Sequence, residues 1–407
     1  MALYGATIGK LGILTFEATT NQACANVIPH SNVVETGYLF NYLLSQRDAF
    51  IKQGQGGAQP NISQGIVRSH PIPVPPLTEQ RRIVAKLEEL FSELDAGVAA
   101  LRRAQRRLTR YRQALLHAAV TGELTREWRE QQTPDIKAGK DDAERPGWLP
   151  VGWDWTTIGG ASEVSGGLTK NSRRSDMPKR LPYLRVANVY ADELRLEEVE
   201  EIGIQDGELN RALLKPGDLL IVEGNGSLDQ IGRVAIWDGS VEPCVHQNHI
   251  IKARVSGRVL PRFALLWLLS PLGRNAIVQQ ASSTSGLHTL SLSKVSGLPL
   301  PIPPIPEQEA IIAEYDRRNS LAQALGVADQ TSLRRAERLR QSILERAFRG
   351  ELVPQDPNDE PAETLLARLK AAAPATPAVR SRGRAPKPQP AEPPPPRHLG
   401  RPRKPRP

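Results

Sequence analysis

The chain has 407 residues, 39% of them hydrophobic, which is enough for two or three domains with real cores. Two cysteines exclude a disulfide framework, and neither lies in a Cys-x-x-Cys metal pattern, so a reducing, cytoplasmic location is expected. No stretch reaches the roughly 18 apolar residues of a membrane span. The net charge of +9 suggests a polyanionic partner, but nine basic residues and one acidic residue after Lys370 account for nearly all of it.

An internal repeat is the strongest signal in the sequence. Residues 71–80 match residues 299–308 at an offset of 228, and the same offset aligns Gly122 with Gly350. Further upstream the offset is 223, where residues 8–13 face residues 231–236. An ungapped register held across separate segments predicts a duplicated architecture.

Each repeat ends in a predicted long helix. The proline-rich segments 71–76 and 299–306 cannot be helical, because proline fixes φ and lacks an N–H, and helices are predicted to follow them. Both helices stop at a glycine, as expected of a C-terminal cap. Spacings of four and three alternate along the first helix, which is typical of a coiled-coil seam. The seam positions are Ile83, Leu87, Leu90, Leu94, Gly97, Leu101, Ala104, Leu108, Tyr111, Leu115 and Ala118. The second helix is less regular; equal length and a shared stop favour mutual pairing over an ordinary bundle.

Predicted strands precede the helices. A turn leads into a buried strand within residues 211–222, and residues 232–237 and 249–255 are further β-rich runs. We therefore predict an α+β fold, in which a mixed α/β globule precedes each long helix. The predicted segments are a partial first globule (1–77), a central helix (78–122), a linker (123–147), a second globule (148–305), a distal helix (306–350), a short helical extension (351–370) and a tail (371–407). The tail is basic and rich in proline, so we expect it to be disordered.

The ordered set of motifs resembles the specificity subunits of type I restriction–modification systems. The matching segments are residues 149–155, 183–189, 214–221 and 298–308, together with the two helices that begin at Glu-Gln pairs, and the resemblance covers roughly residues 1–370. It implies two target-recognition globules, each reading half of a split double-stranded DNA target, held apart by two antiparallel helices. It further implies methyltransferase subunits docked on those helices and, through them, restriction/translocase subunits.

In such a complex the chain would direct adenine methylation and restriction while binding no cofactor itself. The partner subunits would use S-adenosylmethionine, ATP and Mg²⁺. Compared with the second globule, the first lacks a counterpart to roughly 70 residues. We therefore expect a misplaced start or a truncated gene, and incomplete cover over Ile8, Ile13, Leu14 and Val27.

The chain shows no recognisable catalytic motif, and we predict a non-catalytic recognition subunit. Residues 5–11 are similar to a P-loop, but only three residues separate the glycines and Leu11 follows the lysine, so a turn is favoured. No Asn/Asp-Pro-Pro-aromatic motif for adenine methylation occurs. His246 and His249 lack metal-ligand spacing and are expected in a strand and turn, so no metal site is predicted.

Candidate DNA contacts are basic and amide side chains in polar loops, since arginine and lysine bind phosphates while arginine, lysine, asparagine and glutamine read base edges. The densest basic loop contains Lys170, Asn171, Arg173, Arg174, Lys179 and Arg180. Further candidates are Gln247, Asn248, Ser283, Thr284 and His288, with Gln55 and Gln59 in the first repeat. A solvated surface is the alternative for the basic loop. Residues 400–404 resemble an AT-hook, the alternative being a generic basic tail.

Two other functional classes remain open. The chain could be a coiled-coil scaffold whose globules bind protein, or a standalone enzyme with an unrecognised site. The missing cofactor motifs argue against the enzyme.

Overall fold

The computed structural model describes residues 1–54, 61–132, 146–225, 227–228, 230–284 and 287–372. They form two compact units: unit 1, Met1–Glu88 with the described residues from Ile343 onward, and unit 2, Glu89–Ser342. The helices are α1 (Thr36–Ser45), α2 (Arg47–Gln53), α3 (Gln64–Ser69), α4 (Leu77–Val120), α5 (Arg126–Gln132), α6 (Ile158–Ala161), α7 (Leu209–Ala212), α8 (Pro261–Leu269), α9 (Pro271–Gln280), α10 (Leu292–Ser296), α11 (Ile305–Phe348) and α12 (Ala362–Ala372). The strands are β1 (Asp154–Thr157), β2 (Ser162–Gly166), β3 (Arg180–Leu184), β4 (Val189–Tyr190), β5 (Glu193–Leu194), β6 (Glu200–Gly203), β7 (Leu219–Val222), β8 (Gly224–Asn225), β9 (Val234–Ile236), β10 (Val245–His246), β11 (Ile250–Val255), β12 (Ser282–Thr284), β13 (Leu287–Thr289) and β14 (Pro299–Ile302).

The two long helices, α4 and α11, confirm the strongest prediction from the sequence. Each has 44 residues, and their bounds differ by the same 228 residues that relate the repeats. Both are followed by a glycine in the left-handed region, Gly122 with φ 75° and Gly350 with φ 77°. A glycine there adopts a backbone conformation that is costly for other residues, so it ends the helix.

The less exposed positions along α4 differ from the predicted seam. Within unit 2 they include Val98, Gln105 and Arg112, whereas the predicted positions Gly97, Ala104 and Tyr111 are exposed. The predicted positions Leu94, Leu101 and Leu108 are among the less exposed residues, so the stripe keeps its seven-residue repeat. Steps of three and four alternate along a coiled-coil seam, and the leucines alone do not show which step comes first.

Within unit 2, residues later in α4 contact residues earlier in α11. Arg340 forms an ion pair with Asp95, and its guanidinium carbon lies 4.4 Å from the centre of the Phe91 ring. Nearer the start of α11, a Cβ built on Gly326 would lie 3.4 Å from Leu108. Leu321 and Leu325 are exposed, and a cleft of about 790 Å³ opens beside them.

Unit 2 contains a globule built around a four-stranded antiparallel sheet in the order β2-β11-β7-β9. All four residues of β7 are buried, as expected for the strand predicted within residues 211–222. The apolar helix α8 packs against this sheet, and its side chains Phe263, Leu265 and Trp267 belong to the main core. A second sheet has the order β10-β3-β6, and smaller ones are β12-β13-β8, β1-β14 and β4-β5.

Unit 1 repeats the helical part of that globule. Helices α1, α2 and α3 precede α4 as α8, α9 and α10 precede α11. The short helices α3 and α10 start at equivalent serines, Ser63 and Ser291, whose hydroxyls accept a backbone N–H at 3.2 and 3.3 Å. The core of unit 1 is small and consists of Leu3, Ala25, Leu39, Leu43, Phe50 and Ile62.

Two equivalent glutamines anchor the starts of the long helices. Gln80 accepts a hydrogen bond from the Glu35 backbone N–H and donates to the carbonyls of Val33 and Pro75, all at 2.8 Å. Gln308 accepts from the Leu260 N–H at 2.8 Å and donates to the carbonyls of Arg258 and Pro303 at 2.9 and 2.8 Å. Both side chains are fully buried. The duplication seen in the sequence is therefore also a duplication of a hydrogen-bond network.

Helix α5 lies within the segment predicted as a linker, where the sequence did not indicate a helix. Helix α12 lies in the predicted short helical extension and continues two residues beyond it, to Ala372. Residues 133–145 and residues 373–407, which are the rest of the predicted tail, lie outside the described residues. Disorder of the tail stays a prediction.

Candidate nucleic-acid interface

Several polar loops of unit 2 emerge at one edge of the four-stranded sheet. Strand β7 ends at Val222 opposite Ile250, the first residue of β11, and β2 ends at Gly166 opposite Ile251. The loops that follow β2 and β7 and the turn that precedes β11 therefore leave the sheet on the same side. We call this side the loop edge: residues 167–171, 223–225, 247–249 and the β12–β13 hairpin.

The structure brings the start of the basic loop together with the polar pair. Leu168 forms a parallel bridge with Gln247, and the Asn248 N–H donates to the Leu168 carbonyl at 3.0 Å. Lys170 and Asn171, both exposed, follow two residues later. Gln247 is partly committed, because its side-chain oxygen accepts from the Val186 N–H at 3.2 Å.

The predicted polar turn also reaches the loop edge, as a hairpin. Ser283 lies opposite His288, and Thr284 lies opposite Leu287. On its other side β13 pairs with β8, where His288 faces Asn225. Because β8 directly follows β7, the hairpin is tied to the same end of the sheet as Gln247 and Asn248.

Charges at the loop edge are partly neutralised. Glu200 accepts hydrogen bonds from Lys170 and from Arg185, each at 2.7 Å. These contacts hold the pKa of Glu200 below its ordinary value, and the hydrogen bond from Lys170 has the largest effect. His249 lies 2.9 Å from Glu223. Glu200 thus holds the cationic side chains of Lys170 and Arg185 close to each other.

Arg174 is held inside the globule, unlike its neighbour Arg173. Its guanidinium makes a bidentate contact with Glu208 at 2.8 and 2.6 Å and donates to the carbonyls of Thr169 and Gly203. Only 11% of its side chain is exposed, and the Arg174 hydrogen bond lowers the pKa of Glu208. These contacts fix the loop that carries Lys170. Arg173 is exposed.

Lys179 and Arg180 lie at the far end of β3 from the loop edge. Leu184, at the near end, accepts a hydrogen bond from the Gln247 N–H. Arg180 is four positions earlier in β3, which corresponds to about 13 Å along the strand. Arg180 donates to the Glu201 carbonyl at 3.1 Å. The six residues of the basic loop therefore do not form one patch. Gln55, Gln59 and the AT-hook-like residues 400–404 lie outside the described residues.

A buried histidine lies directly beneath the loop edge. His246 is in β10, as the sequence predicted, and its Nδ1–H donates to the Ile250 carbonyl at 2.9 Å. Burial, with a smaller effect of Lys252, lowers the pKa of His246 to about 4. Its neutral ring has a structural role. Among the described residues no cluster of His, Cys, Asp or Glu could hold a metal ion.

Sequence reasoning missed Arg185 and His249 as candidate contacts at this edge. Each directly adjoins a predicted strand or polar turn, and this position in the sequence could have identified it as a candidate. What the sequence did not reveal is the strand order, and without it the three turns could not be assigned to one edge.

A family model described as the type I restriction modification DNA specificity domain matches residues 2–100 and 150–317. The chain belongs to this family. It is 28% identical over 373 residues to the type I restriction enzyme EcoKI specificity subunit of Escherichia coli K12. It is 27% identical over 370 residues to the StySPI specificity subunit of Salmonella potsdam. Each alignment covers 88% of this chain and 76% of the relative.

The fold of this specificity subunit agrees with that of a solved chain. That chain comes from a study of complex assembly and conformational transition of the type I R-M system. The two structures superpose with a TM-score of 0.57 at 21% sequence identity, and the alignment covers 78% of this chain and 72% of the other. The prediction of a non-catalytic DNA-specificity subunit is confirmed by the family match and the curated relatives. No helix in the described part of the chain is long and apolar enough to cross a membrane.

Proposed function

We propose that unit 2 reads one half of a split double-stranded DNA target with its loop edge. The observation that carries this proposal is the convergence of Lys170, Asn248 and the His288 hairpin on one end of the sheet. Basic and amide side chains on adjoining loops combine phosphate contact with base-edge recognition, which specific DNA binding requires. Lys179, Arg180 and Arg173 are more peripheral candidates in this arrangement.

We further propose that α4 and α11 form an antiparallel coiled coil that sets the spacing between half-sites. The opposite-running contacts Asp95–Arg340 and Leu108–Gly326 support antiparallel pairing. A helix of 44 residues is about 66 Å long, so it exceeds one turn of B-DNA, about 34–36 Å. The spacer in the target would then depend on helix length.

The partners proposed for this subunit follow from its family. Methyltransferase subunits would dock along the long helices, where Leu321 and Leu325 are exposed, and would bring the restriction/translocase subunits to the site. S-adenosylmethionine, ATP and Mg²⁺ would be bound by those partners, and the chain would direct adenine methylation and restriction. The complex would act in the cytoplasm.

The loop edge is tested by removing side chains from the two ends of the same sheet. We would reconstitute the chain with methyltransferase subunits and measure DNA affinity by fluorescence anisotropy and the methylated sequence by methylome sequencing. Lys170→Ala and Asn248→Ala should weaken specific binding about 10-fold or more, equivalent to at least ~1.4 kcal/mol, or relax the half-site.

Lys215→Ala is the matched control, because exposed Lys215 precedes β7 at the opposite end of the sheet. Equal effects of Lys170→Ala and Lys215→Ala would overturn the assignment of the edge. If Lys179→Ala and Arg180→Ala alone changed the half-site, the far end of β3 would be the reading surface. DNA binding insensitive to all of them would favour a protein-binding scaffold.

The helix ruler is tested by removing one heptad from each helix, residues 94–100 and 322–328. The pair of deletions should shorten the rod by about 10 Å. The expected result is a shorter preferred spacer in methylome sequencing with unchanged half-sites. An unchanged spacer would contradict the ruler.

A further inference from the structure

The middle of α4 carries positive charge and no negative charge. Between Asp95 and Glu123 the helix contains no acidic residue and six arginines, namely Arg102, Arg103, Arg106, Arg107, Arg110 and Arg112. The first five are exposed, and Arg112 is partly buried beside Gly326 of α11. Since residues after Lys370 account for nearly all of the net charge of +9, these arginines are a local concentration of charge on a nearly neutral body.

Three of the arginines form a row on the side of α4 that faces away from the apolar cleft. Residues four apart lie on one side of an α-helix, so Arg102, Arg106 and Arg110 follow one another at intervals of about 6 Å. With 3.6 residues per turn, Ala104 and Leu108 project to roughly the opposite side, and they line the cleft of about 790 Å³ beside α11. We call the row Arg102, Arg106 and Arg110 the arginine ridge.

The arginine ridge is not neutralised by the chain itself. Elsewhere on the two long helices arginines are paired: Arg317 with Glu314 at 2.8 Å, and Arg340 with Asp95. For the ridge, the described residues provide no ion pair and no side-chain hydrogen bond. Like charges four residues apart destabilise a helix, so the row repels itself in the free chain. A bound anion would relieve this repulsion.

The surroundings of the ridge fit a nucleic acid better than a protein surface. Protein interfaces have a core from which charged side chains are depleted, whereas protein–DNA interfaces are polar and strongly positive. The exposed apolar residues Leu321 and Leu325 lie on the cleft side, which is therefore the surface suited to partner subunits. The exposed neighbours of the ridge are Ala99, Thr109 and Gln113, which provide no apolar core.

We propose that the arginine ridge binds the phosphate backbone of the double-stranded DNA between the two half-sites. The inference rests on the proposed function, in which the α4–α11 pair spans the spacer of a split target. Arginine binds phosphate through charge-assisted hydrogen bonds, and phosphate contacts carry no direct sequence information. The ridge therefore holds the spacer without reading its bases, while the loop edge reads the half-site.

The salt dependence of DNA binding tests the ridge. The chain, reconstituted with methyltransferase subunits, is titrated with its target duplex, identified by methylome sequencing, and fluorescence anisotropy is measured at several salt concentrations. Each neutralised phosphate contributes about 0.9 to the slope of log K against log salt. The triple variant Arg102→Gln, Arg106→Gln, Arg110→Gln should therefore make the slope less steep by about 2.7 and leave the half-sites unchanged.

Arg317→Gln is the control variant, because it removes an exposed arginine that is already paired with Glu314. It should leave the salt slope unchanged. The helicity of the triple variant, measured by circular dichroism, should equal or exceed that of the unmodified chain, since the like charges are removed. A less steep slope then reports a lost phosphate contact and not an unfolded helix. An unchanged slope in the triple variant would overturn the proposal.

Uncharged methylphosphonates in the DNA locate the contact. Placed in the spacer, they should weaken binding of the unmodified complex about tenfold or more and have little further effect on the triple variant. Placed in the half-sites, they should weaken both complexes alike. Equal losses for the two complexes with the spacer-modified DNA would contradict the assignment of the ridge to the spacer.

A protein ligand is the alternative occupant of the ridge. If the triple variant no longer elutes with the methyltransferase subunits in size-exclusion chromatography, the ridge binds protein and the proposal fails. Failure of the loop edge is distinguishable, because half-site recognition would then survive Lys170→Ala and Asn248→Ala while the salt slope still responded to the ridge. Failure of the helix ruler would appear as an unchanged spacer after the heptad deletions, which leave all three ridge arginines in place.

Discussion

The starts of the two long helices share the same hydrogen bonds of a buried glutamine and differ in the side chains that surround them. Gln80 and Gln308 make the same three hydrogen bonds in their own units, but Glu307 is saturated by donors while Glu79 has none in the described structure. The ion pair at each start is also reversed. In unit 2 a base beyond α4, Arg129, meets the helix glutamate, whereas in unit 1 an acid beyond α11, Asp359, meets Arg82 at 2.6 Å. A duplicated backbone network has therefore been kept while the side-chain pairing around it has diverged.

The largest expected effect comes from deleting the two glutamates. Glu307→Ala leaves Arg129 and the Trp153 N–H without their buried acceptor and should destabilise unit 2 by about 3–5 kcal/mol. Glu79→Ala removes a buried carboxylate that lacks a donor, so it should leave unit 1 as stable or make it more stable. Urea unfolding followed by tryptophan fluorescence reports unit 2, because all six tryptophans lie in residues 128–267. Hydrogen exchange of peptides from residues 1–88 reports unit 1, and equal losses in both units would contradict the asymmetry.

The next largest difference between the units should be in how acid pH affects their stability. Unfolded His246 binds a proton near pH 6.5, but the folded state, where burial and Lys252 lower its pKa to about 4, resists protonation. Unit 2 should therefore lose stability as pH falls from about 6.5 to about 4, by about 3 kcal/mol, and lose no more from this group below that range. His246→Gln should flatten this part of the pH profile. In unit 1, burial also lowers the pKa of His70, but that histidine is less deeply buried, and its contribution should be smaller.

The glutamine anchors should behave alike, in contrast to the glutamates. Gln80→Leu and Gln308→Leu each leave buried backbone groups without partners and should cost about 2 kcal/mol in their own units. The same two readouts apply: hydrogen exchange for unit 1 and tryptophan fluorescence for unit 2. A large difference between the two variants would mean that the equivalent glutamine hydrogen bonds contribute unequally to the stability of the two units.

The sequence predicted what depends on local pattern and missed what depends on strand order. Helix α4 was predicted within two residues at each end, because prolines and Gly122 punctuate it. Its seam includes Val98, Gln105 and Arg112 where their preceding neighbours were predicted, because steps of three and of four fit the same repeat of leucines. The bidentate contact of Arg174 with Glu208 spans 34 residues, and no local pattern reveals such a partner.

The same reasoning explains why the proline-rich segments differ. Both were predicted to be extended, but only residues 299–302 form a strand, since only they have β1 as a partner. Of the four residues expected to be poorly covered, Ile13, Leu14 and Val27 are exposed, whereas Ile8 packs against the core of unit 1. The prediction that about 70 residues are missing before Met1 stays a prediction.

The smallest expected effect comes from a pair of tyrosine hydroxyls in unit 1. Tyr42 donates to Pro71, and its counterpart Trp267 donates to Pro299 at 2.5 Å, so this bond is duplicated. Tyr38 donates to Pro73, but its counterpart Phe263 has no hydroxyl. Tyr42→Phe should cost about 1 kcal/mol and Tyr38→Phe about 0.5 kcal/mol, because unit 2 keeps the same arrangement without the second bond. Hydrogen exchange of the α1 peptide measures both. A larger loss for Tyr38→Phe would mean that the hydroxyl, whose pKa burial raises, holds the segment at Pro73 in the absence of a strand on Ile72 and Val74.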